Sequence, residues 1–385
     1  MAYKVSRKKQ FGIKLESVNG TAETLTTSNY GLQLSEISAA NNIEMYDNNV
    51  FKGSIDQSAS RTGKGNAVVT IGGEFKNSGT LNTAPKVGTL LESARYIKST
   101  VYGYAFSVAS GTSTRGADII TGGTSGATGR FVKIEGSKIY LADISGTFTV
   151  GETVTDSVGT WTATLGAKDG TATGFYYRGD SSASSEKCAT IHVNEDGILK
   201  PLYGAMCNFG LDVTTDGFAK FVGSITGVMN KTNWGTAVAM IDESTITWES
   251  TEPPVVVNAS LTIGSYSPIA VSRVNIDTGN TVTLIEDLNS DSWYRHADVV
   301  SRGVAGTIEL LTVSPSDHSF YADFIAGTTA ALNFTIGSGA GKQIEVILPY
   351  IQYTGLVDAD KEGFLSTALT FKGTGTDNAI GIWFR

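Results

Sequence analysis

The feature that most constrains the fold of this chain is a stretch that occurs twice, at Ile191–Gly227 and at Gly337–Gly373. In both copies a Gly-Phe pair follows an acidic turn and opens an alternating run, which closes on a second glycine at the same spacing. Alternation of apolar and polar residues predicts strands with one buried face, so each copy is interpreted as a β-meander. Chance similarity between two glycine-rich segments is the alternative, because few identical residues carry the match. The repeat predicts a duplicated β-module.

The order of predicted elements agrees with the repeat. In each half a long polar loop, a strand, a short helix and the meander follow one another. The alignment matches the strand around Ile71 with the strand around Ile308. The first helix is predicted to open at Thr83-Ala-Pro85, and the second at Ser314-Pro315 with a stop at Gly327. The long loops are predicted at 41–65 and 287–305.

An insertion interrupts the first half, because the helix and the meander are further apart there than in the second half. Glycine-rich turns and short alternating runs predict a small β-unit of its own. Insertions are tolerated at exposed loop tips, so we expect this unit on the outside of any assembly. Pro253-Pro254 mark the boundary between the halves. The predicted domains are a first module at 1–104 and 171–252, an inserted β-domain at 105–170 and a second module at 255–385.

Composition and charge limit the classes of function. The 385 residues are 41% hydrophobic, which is enough for two or three cores. A net charge of −8 argues against tight nucleic-acid binding, which needs Lys and Arg, and favours a surface that repels phosphates. No apolar run approaches the ~18 residues of a membrane span, and we expect no signal peptide. Cys188 and Cys207 are predicted to be buried free thiols, with a disulfide as the alternative.

The sequence contains no recognisable catalytic or metal-binding constellation. His192, His296 and His318 lack the spacing of metal ligands. The segment from Asp358 to Glu362 begins like a calcium loop but has leucine where the bidentate glutamate belongs. The segment 337–342 is similar to a phosphate loop but has the wrong glycine spacing. Both segments are predicted to be hairpin turns, and we expect no enzymatic activity and no cofactor.

Several motifs, taken together, resemble the major tail tube proteins of long-tailed bacteriophages. They are Gly73-Glu-Phe, Thr83-Ala-Pro and Leu90-Leu91, then 189–197, Tyr203-Gly-Ala and 221–227, and in the second half Leu261-Thr-Ile-Gly, 330–337 and 351–355. The resemblance covers most of the chain apart from about residues 105–170. It implies an all-β fold with short flanking helices, built as two tail-tube-like β-sandwich modules plus a small inserted β-domain.

The resemblance also implies a function as a virion structural protein. Tail tube subunits join their sheets edge to edge into rings, and the rings stack into a conduit for DNA ejection. Two modules in one chain imply trimeric rings of pseudo-sixfold symmetry, made of copies of this chain. The implied partners are the tape measure protein and the tail terminator or baseplate proteins. Viral DNA would pass through the lumen without specific binding, and the expected location is the virion tail, assembled in the host cytoplasm without a membrane.

Exposed loops and both termini are the expected surfaces for ring stacking. The candidates are basic or apolar side chains in those segments: Arg7, Lys8, Lys9, Val50, Phe51, Arg61, Trp293, Tyr294, Arg302, Trp383, Phe384 and Arg385.

Two other classes of function remain open at this point. A tail terminator, baseplate or capsid-decorating protein would remain a single ring or trimer. A carbohydrate-binding β-sandwich adhesin would place exposed aromatic side chains, such as Trp161, Trp234 and Trp248, in a groove.

Overall fold

The computed structural model describes residues 3–53, 56–215, 217–256, 259–268 and 270–385. The chain is 51% strand and 6% helix, which confirms the predicted all-β fold class with a few short helices. Within these ranges, sixteen strands form one large sheet, six close into a barrel and two form a separate ribbon.

The first module is interrupted by the barrel. Before the barrel, the chain forms β1 (Lys9–Leu15), β2 (Glu36–Tyr46), β3 (Arg61–Glu74), α1 (Gly88–Ser93) and β4 (Tyr96–Thr100). The barrel consists of β5 (Tyr102–Ser110), β6 (Ile119–Gly122), β7 (Thr128–Glu135), β8 (Lys138–Ser145), β9 (Thr153–Asp156) and β10 (Thr162–Lys168). The chain then continues with β11 (Phe175–Gly179), β12 (Ala189–Glu195), β13 (Ile198–Thr214), β14 (Lys220–Met229) and β15 (Thr236–Ala237).

The second module repeats this arrangement without a barrel. It consists of β16 (Thr262–Ile263), β17 (Val271–Asp277), β18 (Asn280–Glu286), β19 (Tyr294–Arg302), β20 (Ala305–Leu311), α2 (Phe320–Ala326), β21 (Thr329–Ile336), β22 (Ile344–Lys361), β23 (Phe364–Gly373) and β24 (Gly381–Phe384).

The large sheet contains the same strand order twice. Its central part runs β2-β3-β14-β13 and then β17-β20-β23-β22. Ile71 of β3 lies opposite Gly223, and Ile308 of β20 lies opposite Leu369. Gly223 and Leu369 each stand six residues after the glycine of their Gly-Phe pair. The strand registers therefore agree with the alignment of Ile71 and Ile308 made from the sequence.

A single apolar core runs through both modules, and the C-terminal strand is part of it. β24 pairs with β11 on one side and β22 on the other. This pairing buries Trp383 and Phe384, and the Phe384 ring lies 5.5 Å from the Phe75 ring. The expectation that Trp383 and Phe384 form a surface for ring stacking at the C-terminus is wrong, because the chain's own sheet buries both side chains.

The barrel has its own apolar core, which includes Trp161. Ion pairs hold the barrel against the second module. Glu345 of β22 is buried and accepts hydrogen bonds from Arg115 at 2.5 Å, Lys133 at 2.8 Å and Arg385 at 3.0 Å. Arg115 and Lys133 belong to the barrel segment, so these contacts hold the barrel against β22. A buried carboxylate is stable only with such partners.

Both helices begin later than the sequence predicts. Thr83 does not cap α1, which starts at Gly88 after a turn in which the Gly88 amide donates to the Pro85 carbonyl. Ser314 opens a separate turn, and α2 begins after Ser319, whose hydroxyl accepts from the Ala322 amide at 3.3 Å. The predicted stop is confirmed, because Gly327 has a φ of 64° and caps the last carbonyl groups.

The predicted long loops are shorter than expected, because strand pairing extends into them. β2 and β3 pair as far as Tyr46 and Arg61, which leaves 47–60 as the loop; its positions 54–55 lie outside the described residues. In the second module, β19 occupies much of the segment predicted as loop and pairs with β18. Cross-strand hydrogen bonds thus override the polar composition of both segments.

Candidate assembly interfaces

The joint between the two modules is an antiparallel pairing of β13 with β17. Leu211 lies opposite Ile276, and both are buried. On the other face, the Arg273 guanidinium donates to both carboxylate oxygens of Asp212, at 2.8 and 3.2 Å. The joint therefore has an apolar inner side and a charged outer side, which is how two well-matched sheet edges become one sheet.

The ribbon of β18 and β19 crosses this joint and packs on the first module. Its residues Ala297 and Val299 form a buried cluster with Cys188 and Met206 of the first module. Arg95, which follows α1, donates to Asp298 at 3.1 Å and to the Val299 carbonyl at 2.9 Å. The second module therefore supplies a cover for the first.

The same contacts reach the C-terminal end of α1. The Asn280 side-chain amide donates to the Ala94 carbonyl at 3.0 Å. The helix itself is covered by β1, β4 and β13 of its own module, and Leu90 and Leu91 have no exposed surface. α1 is thus an interior helix, although it is only six residues long.

The two outer edges of the repeated sheet are open. At one end, β3 is the only strand partner of β2 within the described residues. At the other end, Leu356–Lys361 of β22 pair with β23 on one side and, in the described part of the chain, with no strand on the other. By the strand order, β2 is the counterpart of β17, and this part of β22 is the counterpart of the part of β13 that pairs with β17. An unpaired edge is a template for another chain.

The open end of β22 differs from β13 in its inward-facing residues. Transferring the register of β13 and β14 to β22 and β23 places Asp358 and Asp360 where β13 has Leu211 and Val213. Asp358 accepts hydrogen bonds from the Tyr321 hydroxyl at 2.6 Å and from Thr367 at 2.8 Å. These bonds lower the pKa of Asp358. Inward charges on an edge strand restrain uncontrolled pairing with other strands.

Helix α2 lies beside the open end of β22, and its surface is exposed. Tyr321 and Phe324 are partly exposed and Ile325 is 83% exposed, while Phe320 alone is buried. The contrast with α1 follows from what packs on each helix, because β1, β4 and β13 lie against α1, whereas α2 packs mainly on β22.

The residues predicted to stack rings do not form one surface. Arg7, Lys8, Val50, Phe51 and Arg61 are exposed. Lys9 is partly buried, and its Nζ lies 2.8 Å from the Ile37 carbonyl oxygen and 3.2 Å from Glu195.

Three further candidates make contacts inside the chain. The Lys231 ammonium lies 4.3 Å from the centre of the Trp293 ring, and the Lys64 ammonium lies 5.9 Å from that of Tyr294. Arg302 donates to the Arg95 carbonyl at 2.9 Å. At the C-terminus, Arg385 is partly exposed and donates hydrogen bonds to Glu135 and Glu345.

The resemblance implied that sheets join edge to edge, but the sequence analysis did not identify β2 and β22 as the open edges and did not single out the α2 face. The available signal was the repeat itself, because extending the alignment to β2 and β17 would have revealed one paired and one unpaired copy of the same edge. The helix also carried a signal, since four large aromatic or aliphatic side chains in seven residues exceed what one contact with the sheet can bury.

The sites considered for chemistry are structural. Cys188 and Cys207 are buried free thiols, as predicted, and burial raises the pKa of each. The segment from Asp358 to Glu362 ends in the β22–β23 hairpin turn, in which Glu362 and Gly363 have positive φ. Trp161 is buried inside the barrel and does not line a groove. Among the described residues there is no group of three His, Cys, Asp or Glu side chains arranged to hold a metal ion.

A scan of the chain against protein-family models found no match, and a search of curated proteins found none. No helix in the described part of the chain is both long and apolar enough to cross a membrane.

Proposed function

We propose that this chain is a self-assembling structural subunit whose copies join edge to edge into rings, and that the rings form a bacteriophage tail tube. The observation that carries the proposal is the joint between β13 and β17. It joins two copies of one sheet within the chain and leaves the same two edges open at β2 and β22.

The internal register supplies a specific geometry for the contact between copies. Applied to a second copy, the pairing of β13 with β17 would place Lys361 of one chain opposite Glu36 of the next. It would also place Asp360 opposite Ile37, next to the ammonium group of Lys9. Opposite charges at facing positions of an antiparallel pair favour that register over its neighbours.

Ring closure follows from the same geometry, because a head-to-tail contact must close or extend without limit. Three chains would supply six modules, which is the number that the resemblance to tail tube proteins implies. Stacked rings would then enclose a lumen. The net charge of −8 is consistent with a lumen past which DNA slides without adhering. The subunit would carry out no reaction and would meet tape measure, terminator and baseplate proteins in the virion.

Electron microscopy of the purified full-length protein tests this proposal. Stacked tubes support a tail tube, whereas single rings or trimers that never stack support a terminator, baseplate or capsid-decorating protein. A protein that remains monomeric at all concentrations and salt conditions contradicts both assignments.

Charge reversal tests the register of the contact. We expect Lys361→Glu and Glu36→Lys each to weaken association by roughly fivefold, equivalent to about 1 kcal/mol for each interface. The double variant should restore association, because the pair forms again across copies. Lys372→Glu is the matched control, since Lys372 is exposed on the interior strand β23. A double variant as weak as either single one contradicts this register, as measured by analytical ultracentrifugation.

A further inference from the structure

Two exposed apolar surfaces lie beside the two open edges of the repeated sheet. The first is the arm, which we define as the ends of β2 and β3 with the described part of the loop that connects them, residues 45–53 and 56–62. Within it, Met45, Tyr46 and Val50 are about half exposed and Phe51 is fully exposed. The second is the α2 face, formed by Tyr321, Phe324 and Ile325. Apolar patches of this kind commonly mark contact sites.

The chain already contains the counterpart of such a contact. Along the chain, the ribbon of β18 and β19 connects β17 to β20, and the arm connects β2 to β3 at the equivalent place. This ribbon does not project into solvent. It packs on β13 and β14, and its contacts with Arg95 and Ala94 cover the end of α1. A module therefore contacts the C-terminal end of the helix of the module to which it is joined.

The open side of the molecule lacks this cover. α2 is the counterpart of α1, and the Tyr321 hydroxyl bonded to Asp358 holds it beside the open part of β22. A copy that joins this edge through its own β2 brings its arm to the place where the ribbon stands at the internal joint. The arm of the joining copy is therefore the segment expected on the α2 face, because the ribbon occupies the equivalent place at the joint of β13 and β17 within the chain.

We infer that the arm of one copy packs on the α2 face of the copy joined to it at the β22 edge. This inference rests on the proposed function and deepens it. It assigns Val50 and Phe51 to contacts within a ring, in place of the contacts between rings expected from the resemblance. Each copy would shield its neighbour's helix, and ring closure would shield all of them.

Photo-crosslinking tests the contact directly. Phe51 is replaced with p-benzoylphenylalanine in the full-length chain, and cross-linked peptides are identified by mass spectrometry. We expect dimers linked to residues 320–327 of another copy, already in preparations that contain single rings. The control carries the same group at Val158, which is 66% exposed on the barrel, and should give no link to α2. Links from position 51 to another surface, or links that form only after rings stack, overturn the inference.

A pair of substitutions separates this inference from the proposed function. Phe51→Ser and Ile325→Ser should each slow ring formation by about tenfold, and the double variant should be no slower than either, because both remove one contact. Circular dichroism should be unchanged, since both side chains are exposed. Independent effects that multiply, or rings formed at the wild-type rate by both variants, overturn the inference alone. A wild-type chain that never forms rings overturns the proposed function.

Discussion

The internal joint and the open edges are two versions of one interface, and they differ in what their side chains face. At β13 and β17, Leu211 and Ile276 are opposite each other in the core. At the open end of β22, Asp358 occupies the position equivalent to Leu211 and is exposed. The internal joint is thus built from apolar contacts, whereas the edge proposed to receive another copy carries charge. In the proposed assembly, this distribution would keep folding of the subunit separate from association between copies.

The largest expected effect comes from the equivalent positions 211 and 358. Leu211→Ala should lower the free energy of unfolding by about 3 kcal/mol, because it removes a buried side chain from the internal joint. Asp358→Ala should lower it by less than ~1 kcal/mol, since this side chain is exposed. Urea unfolding of the monomer measures both values. Equal losses would mean that the two positions are not counterparts.

The contact between the barrel and β11 is a second internal contact, and it depends on charge where the joint of β13 and β17 depends on apolar packing. Asp143 of the barrel accepts hydrogen bonds from Arg130 at 2.9 Å and from Arg178 of β11 at 2.5 Å. Burial raises the pKa of Asp143. The charge of Arg178 and the hydrogen bonds from both arginines lower it by more, so the pKa lies below its ordinary range. The stability that this carboxylate contributes is therefore complete above pH ~4 and is lost as the pH falls through the lowered pKa.

Asp143→Asn should accordingly cost about 2 kcal/mol at pH 7, because two partly buried guanidinium groups lose a charged hydrogen-bond acceptor. The difference from the wild type should shrink as the pH is lowered below about 4. Chemical denaturation at pH 7 and pH 3 measures it. A difference that is independent of pH would show that the contact acts through packing and not through charge.

The smallest effect is expected for the charged outer side of the internal joint. Arg273→Ala should lower the free energy of unfolding by no more than ~0.5 kcal/mol, because the ion pair with Asp212 is exposed to solvent. Calorimetry at low and high salt measures the loss, which should be smaller at high salt. A loss comparable with that of Leu211→Ala would show that charge, and not apolar contact, holds the modules together.

Local signals in the sequence were sufficient for the repeated part of the fold. The alternation around Ile71 and Ile308 and the Gly-Phe pairs predicted the strands and their alignment, because side-chain period and turn geometry are properties of neighbouring residues. Glycine at position 327 predicted the end of α2 for the same reason. The starts of the helices were less predictable, since Thr83 and Ser314 favour turns as readily as caps.

The candidate site was less accessible from the sequence than the fold. Trp383 and Phe384 are apolar residues near the C-terminus, which suggests a surface that contacts another molecule. Only the pairing of β24 with β11 shows that the chain itself buries them. The open edges of β2 and β22 carry no local mark in the sequence, because a strand has the same pattern whether or not a neighbour pairs with its far side; only the repeat pointed to them.

By itself, the sequence determined that the chain is mostly strand, that one β-unit is used twice, and that the two uses align at particular residues. These properties depend on hydrophobic period and turn residues, which act over short distances. Only the tertiary structure decided which copy of each shared edge is closed, which helix is covered and where the barrel is attached. Those outcomes depend on contacts between residues far apart in the chain, and no local pattern records them.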